Sequence, residues 1–442
     1  MREQNNSNKS VGFLQGLAIV VGMIIGSGIF LKPGVVLGEA GSTGMALVAW
    51  ILGGVVTLCS ALSIAEIASN IPRAGGLYTY LDELYGEKWG FLLGWVQSVI
   101  SYPASVAAQG IAFATYASFF LPQSFGESTV AMTGLALGVM LFVLVMNVLS
   151  TRCGGFIQIF ATIGKLIPIV AILAIGLFSG VAPGANGMSM VLIGEGKANI
   201  GAAILSTLWA YDGWIGVTNM AGEMKEPKKN LPKVISVGII FVVAVYALFN
   251  LVLFNALPAD QLVSSATPGA DAAVALFGQG GATFLTAGIM ISVFGSLNGY
   301  LMTAARVPQA MAERKQLPLS GVLAKIHPKF GTPANALIMQ TVLATVYVMS
   351  GSFNYLTDML MFVLWIFFTL GVVGVFILRK RGLSDKENYR VPLYPITPII
   401  GITGSLYILG STIVSDPGRS LIGLAVSALG LPVYFWLKKK NR

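Results

Sequence analysis

Apolar residues run through this chain in long blocks rather than in the two-residue alternation of half-buried strands. Stretches of predominantly apolar residues lie near 11–38, 44–70, 88–119, 129–149, 155–180, 198–222, 233–257, 281–312, 333–350, 354–378, 395–415 and 418–437, with the polar and charged residues gathered between them. A helix needs about 20 such residues to cross a hydrocarbon core of ~30 Å. Lipid offers backbone N–H and C=O groups no partner, so each block satisfies them internally as a helix, and blocks this long do not suit the alternating strands of a β-barrel. The pattern predicts an all-α membrane protein with 12 transmembrane helices.

Composition agrees. The chain is 55% hydrophobic and 10% charged, against about 45–50% and about 25% in soluble domains. Charge sets the expected orientation, because loops rich in Lys and Arg stay cytoplasmic. With both termini inside, 23 of the 27 basic residues fall on the inner side, only Lys197 and Arg419 lie outside, and Lys32 and Lys165 sit within spans. The formal net charge of +9 therefore reads as inner-membrane topology and attraction to the lipid bilayer, not as a nucleic-acid footprint. Residues 1–10 and 438–442 are expected to be cytoplasmic tails, since the first apolar span is too long and too interrupted by Gly for a cleaved signal. Cys59 and Cys153 form no disulfide or zinc spacing, and His327, the single histidine, lies in an inner loop, so neither a metal nor another cofactor is expected.

Two spans are interrupted. Span one carries Met23-Ile24-Ile25-Gly26-Ser27-Gly28 in mid-run, and span six carries Trp209-Ala210-Tyr211-Asp212-Gly213 at equivalent depth. Discontinuous helices in corresponding positions of two halves mark the midplane site of transporters built from inverted repeats. The halves are expected at 11–180 and 198–378, with two further spans over 391–437. A lone Gly-Ser-Gly suits close helix packing equally well; its pairing with a second break favours a site. Free N–H groups after the first break attract an anion, Gly26 and Gly28 let a ligand approach the backbone, and Ser27 adds a hydroxyl. Carbonyls of Met23, Ile24, Trp209, Ala210 and Asp212 can accept from an ammonium group. A carboxylate and an ammonium held so close describe an α-amino acid.

These residues carry a family resemblance. Ile24-Ile25-Gly26-Ser27-Gly28-Ile29-Phe30, Pro72-Arg73-Ala74-Gly75-Gly76-Leu77-Tyr78-Thr79-Tyr80, Gly164-Lys165-Leu166, Trp209-Ala210-Tyr211, Asn230-Leu231-Pro232 and Phe294-Gly295-Ser296-Leu297-Asn298-Gly299 are similar in type and order to the L-type amino acid transporter family of the amino acid–polyamine–organocation superfamily. The resemblance covers roughly residues 11 to 390. It implies a LeuT-like 5+5 inverted repeat and sodium-independent amino acid exchange; the bulk of Trp209, larger than a Phe, is expected to shrink the side-chain space and favour small neutral substrates of the alanine, serine, threonine and cysteine class. The resemblance puts Ile24, Ser27 and Gly28 at the substrate backbone and Trp209 over it as an aromatic gate. It also places Lys165 where sodium-driven relatives of the wider fold hold an ion, its ammonium reaching span-one carbonyls and the hydroxyls of Ser292 or Ser296. A charge at the bilayer centre costs about 2.5–3.5 kcal/mol on insertion scales, so a lysine there needs such a role.

Asp212 departs from the family, where a small residue is common; pairing with the substrate ammonium, capping a half-helix and binding Lys165 are all open to it. Tyr246 can reach the site or Lys165, or serve as packing. Lys32 is expected to snorkel outward, and Glu66 and Glu223 to join inner networks with Arg73 or Lys225. Animal members join a glycoprotein through a cysteine between spans three and four; 121–127 has none, so no such partner is expected. Neither Walker A nor H-E-x-x-H occurs, which argues against ATP-driven pumping and zinc hydrolysis. Proton-coupled symport stands as the alternative to exchange.

Overall fold

The computed structural model describes residues 12–71, 76–149, 161, 164–178, 198–216, 224–350 and 352–440. Arg73, Cys153 and Glu223 fall outside them. Among the described residues every regular element is a helix. In chain order they are α1 (Phe13–Ile24), α2 (Gly28–Leu31), α3 (Pro33–Ala40), α4 (Thr43–Asn70), α5 (Gly76–Tyr85), α6 (Glu87–Val96), α7 (Tyr102–Ala117), α8 (Gln123–Gly126), α9 (Thr129–Leu149), α10 (Leu166–Phe178), α11 (Ile200–Ala210), α12 (Pro227–Ala256), α13 (Ala259–Ser264), α14 (Pro268–Ala304), α15 (Arg306–Glu313), α16 (Ser320–Leu323), α17 (Ala334–Ser350), α18 (Phe353–Lys380), α19 (Ile396–Ser415), α20 (Pro417–Ala428) and α21 (Gly430–Lys440). Nine helical stretches among the described residues are long and apolar enough to cross a membrane, and three shorter apolar helices fall in predicted spans five, six and nine. The chain is a multi-pass membrane protein.

Local chemistry sets several helix starts. Ser42, Asn199, Ser352 and Asp416 each accept a backbone N–H at the N-cap, from Met45, Ala202, Tyr355 and Arg419 at 3.2, 3.1, 3.3 and 2.9 Å, the usual remedy for the orphan donors of a first turn. Between α6 and α7 the chain widens into one π-helical stretch, Gln97–Ser101, which the apolar pattern does not signal. Its Ser98 and Val99 carbonyls accept from Gln340 Nε2 at 2.9 Å and Tyr347 Oη at 3.1 Å on α17, so a neighbouring helix satisfies the loosened turn.

The core is a bundle. α12 lies along α1 and α4, α11 against α3 and α4, α14 along α7, and α10 against α14. Small residues bring backbones together: a Cβ on Gly53 would stand 2.1 Å from Thr207 Oγ1, and one on Gly295 2.1 Å from Ala161 Cβ. Such contacts are how helices associate where lipid removes the hydrophobic drive between them. Large apolar side chains such as Val130, Val414 and Leu14 remain more than three-quarters exposed, as a lipid-facing rim requires.

At the end of the bundle that bears α4's C-terminus, Glu66 takes a partner other than the two expected. Its carboxylate is held by Arg379 through Nε and a second guanidinium N–H, both at 2.8 Å, by Ser384 Oγ at 3.0 Å and by the Val391 N–H at 2.7 Å. The fully buried acid needs a donor for every lone pair, and α18 with the segment after it supplies them.

Candidate functional site

Both expected breaks are present. α1 ends at Ile24, where Ile25 turns extended (φ −69°, ψ 105°), and the helix resumes at Gly28. Lys32 keeps right-handed helical angles, so α2 and α3 run on as one outer segment. α11 ends at Ala210, and the chain passes through turns over Tyr211–Ile215 with Gly213 at φ 103°.

The two breaks touch. A Cβ on Gly213 would lie 2.7 Å from the Met23 carbonyl oxygen, and a Cβ on Gly28 would lie 2.6 Å from the Cα of Ala210. No side chain fits at either point, and at Gly213 the left-handed backbone independently favours glycine. Met23, Ile24, Gly28, Ala210 and Asp212 thus gather at one place although 186 residues separate Ile24 from Ala210. The Ser27 hydroxyl is enclosed there with no hydrogen-bond partner among the described residues, beside the N–H groups that open α2. Gly26 faces span eight: a Cβ on it would stand 3.1 Å from Ser296 Oγ.

Tyr246 is more than packing. Its hydroxyl lies 3.1 Å from the Ile24 carbonyl and 2.9 Å from the Ala210 carbonyl, so its single proton serves either break and the side chain spans both. Two of the five carbonyls proposed to receive an ammonium are therefore already shared with Tyr246, and a third, that of Trp209, accepts the Asp212 N–H at 3.2 Å. Each carbonyl keeps a second lone pair. Tyr246 in turn packs in an aromatic cluster with Trp50 and Tyr211, centroids 5.5 and 5.2 Å away.

Lys165 is buried, and its Nζ donates to the Gly22 carbonyl in the last turn before the first break. Span five thereby holds span one directly. Ser292 Oγ is enclosed without a partner among the described residues, and Ser296 Oγ donates to the Ser292 carbonyl at 3.1 Å. Both hydroxyls sit on α14, the helix that packs on α10, but Lys165 makes its bond to Gly22.

Trp209 is enclosed at 3% exposure, stacked on Tyr300 (5.8 Å between centroids, 7° between planes) and edge-on to Phe353 at 6.0 Å. Tyr300 Oη donates to Asp212 Oδ2 at 3.1 Å. Among the uses open to Asp212, this geometry favours fastening the second break to span eight, and its carboxylate does not meet Lys165.

Lys32 does not snorkel. It is fully buried, its Nζ 2.8 Å from Asp358 Oδ1 on α18, and Asp358 Oδ2 accepts Arg419 Nη1 at 3.2 Å. An ammonium that cannot reach water needs a counter-ion, and span ten provides it. Sequence reasoning passed over Asp358, Tyr300 and Phe353. A signal existed for the first, since Asp358 is the one acid in span ten and intramembrane charges come in pairs.

Among the described residues no cluster of His, Cys, Asp or Glu could hold a metal. A sequence model of the amino acid permease family matches residues 11–431. The chain belongs to the amino acid permease family. It is 43% identical over 99% of both chains to the serine/threonine exchanger SteT of Bacillus subtilis. It is also 32% identical to the b(0,+)-type amino acid transporter 1 of Mus musculus, over 97% of this chain and 87% of that one. The cystine/glutamate transporter of Homo sapiens is 30% identical over 99% and 88%. These relatives are transporters and exchangers rather than enzymes, and the resemblance to the L-type transporters holds for this permease.

Proposed function

We propose that this permease is a sodium-independent antiporter that exchanges small neutral L-amino acids of the alanine, serine, threonine and cysteine class by alternating access across the plasma membrane, with both termini cytoplasmic. The reading assigns it 12 transmembrane helices in a LeuT-like 5+5 inverted repeat. One observation carries it: two helices break and touch at their breaks, with the enclosed Ser27 hydroxyl and the opening N–H groups of α2 near carbonyls of both breaks. That is a site for a carboxylate and an ammonium on one carbon. The serine and threonine named for the Bacillus relative fit it.

Sodium independence is supported by Lys165, whose fixed ammonium on Gly22 does the work of a bound cation. Preloaded proteoliposomes are expected to take up labelled serine at least tenfold faster than empty ones, with or without sodium; equal uptake into empty vesicles, or accumulation driven by an imposed pH gradient, would favour proton symport instead.

Trp209 bounds the side-chain space, hemmed by Tyr300 and Phe353. Trp209→Ala is expected to let leucine or phenylalanine compete for labelled serine at concentrations at least tenfold lower than they need against the native protein. An unchanged competition profile would mean that another residue sets the size limit.

A further inference from the structure

The breaks do not use the buried charges beside Phe353. Lys32 and Asp358 form an ion pair between the outer segment of span one and span ten, and Arg419 extends it to α20, where it also pairs with Asp416 at 3.0 Å. Phe353 lies between this network and the aromatic lid, with Lys32 Nζ 5.6 Å above its ring and Trp209 edge-on at 6.0 Å. The Lys32–Asp358 bond ties α2–α3 to α18, so any movement of that segment away from α18 breaks it. It is a lock.

A third carboxylate faces the same network. Glu39 follows Lys32 by seven residues, two turns along the same helical segment, and is one residue past the predicted outer limit of span one. Its Oε2 is enclosed without a hydrogen-bond partner among the described residues. Asp358, Lys32 and Arg419 all act on it electrostatically. The elements packed against α3 add little else: α11 has no ionisable side chain, α4 has only Cys59 and Glu66, both well along the helix from its start, and on α13 Asp260 is exposed.

We propose that Glu39 is the proton-operated release of this lock, and so makes amino acid exchange sensitive to pH. The inference rests on the exchanger reading. Ionised Glu39 repels Asp358 and competes for Lys32; because Glu39 and Lys32 share one segment, a Lys32–Glu39 pair joins nothing across the gate. Protonated Glu39 withdraws that competition and leaves Lys32 to Asp358.

The sign follows from linkage. Burial first, then the neighbouring Asp358, pushes the Glu39 carboxyl up to about 7 in this closed arrangement, and opening would hydrate it and return it toward its ordinary range. The closed form holds the proton more tightly, so acid favours closure. Between pH 8 and 6 a single such group shifts the closed-to-open ratio by about tenfold.

Labelled serine exchange in proteoliposomes with equal pH on both sides is expected to fall at least threefold from pH 8 to 6, over which serine itself does not titrate. Glu39→Gln is expected to give a flat profile near the acid rate. Access is read separately through Ala203→Cys, on the buried outer half of α11, with Cys59 and Cys153 replaced by alanine. At fixed pH 7.5, impermeant maleimide is expected to label it at least threefold more slowly when Glu39→Gln is added and faster when Asp358→Asn is added. Labelling unmoved by either change, or a Glu39→Gln variant with the native pH profile, would overturn the proposal. Absence of exchange at every pH in the unmodified protein would overturn the exchanger reading instead, with the labelling still testing the lock.

Discussion

Lys165→Met is expected to lower serine exchange by at least tenfold while leaving the protein folded in the membrane. The substitution keeps much of the length and apolar stem of the side chain and removes the ammonium. In the structure that ammonium is the donor to the Gly22 carbonyl, one turn before span one breaks. A hydrogen bond to a charged group contributes about 1.5–3 kcal/mol, and each 1.4 kcal/mol is about tenfold in an equilibrium. The bond joins span five to span one just before its break, so its loss is expected to change the balance between transporter states more than overall stability, which rests on the wider bundle. Lys165→Arg retains the charge but brings a longer, planar donor set, and is expected to recover only part of the rate. Initial rates of labelled serine uptake against internal serine decide the matter, with the amount of folded protein checked by gel filtration in detergent. Native rates in Lys165→Met would remove the argument that a fixed ammonium stands in for a coupling cation.

The second large effect concerns steric contact. Gly28→Ala places a methyl 2.6 Å from the Cα and 2.7 Å from the Cβ of Ala210, well inside van der Waals contact and against backbone that cannot rotate away. Relief requires the two broken helices to part at the point where the site is assembled. Overpacking of this kind costs about 1–3 kcal/mol, here concentrated on the substrate-holding arrangement. Serine binding, read as protection of the purified protein against heat, is expected to weaken at least tenfold. Gly138→Ala is the control: the position is helical, and an added Cβ meets nothing within 4 Å. Equal protection of native protein and Gly28→Ala by serine would show that the contact between the breaks does not shape the site.

The two expectations differ in how far they could be seen beforehand. Gly26, Ser27 and Gly28 announce a break locally, because glycine and serine in mid-span weaken a helix wherever it stands; that lysine 165 would be anchored was legible from the cost of an unpaired charge in lipid. Its acceptor was not, for Gly22 contributes only a carbonyl and every residue has one. Tyr246 is similar: nothing in an apolar helix marks one tyrosine as the bridge between two backbone breaks, and the role emerges only once α12 lies along α1 and α4. The expected snorkelling of Lys32 failed because its side chain is fully enclosed by protein, and a counter-ion 326 residues on, Asp358, meets it at 2.8 Å.

What the sequence determined by itself was therefore the class of solution: apolar blocks long enough for lipid force helices, their charged borders suggest a sidedness, and glycine and acid in the wrong places mark where two of them give way. Tertiary structure alone decided the pairings, Gly28 on Ala210, Tyr246 across both breaks, Lys32 on Asp358 and Glu66 on Arg379. Hydrophobic transfer and backbone hydrogen bonding act over neighbouring residues and leave a trace in composition. A buried charge or hydroxyl finds its partner through packing of helices remote in the chain, and that partner carries no local mark.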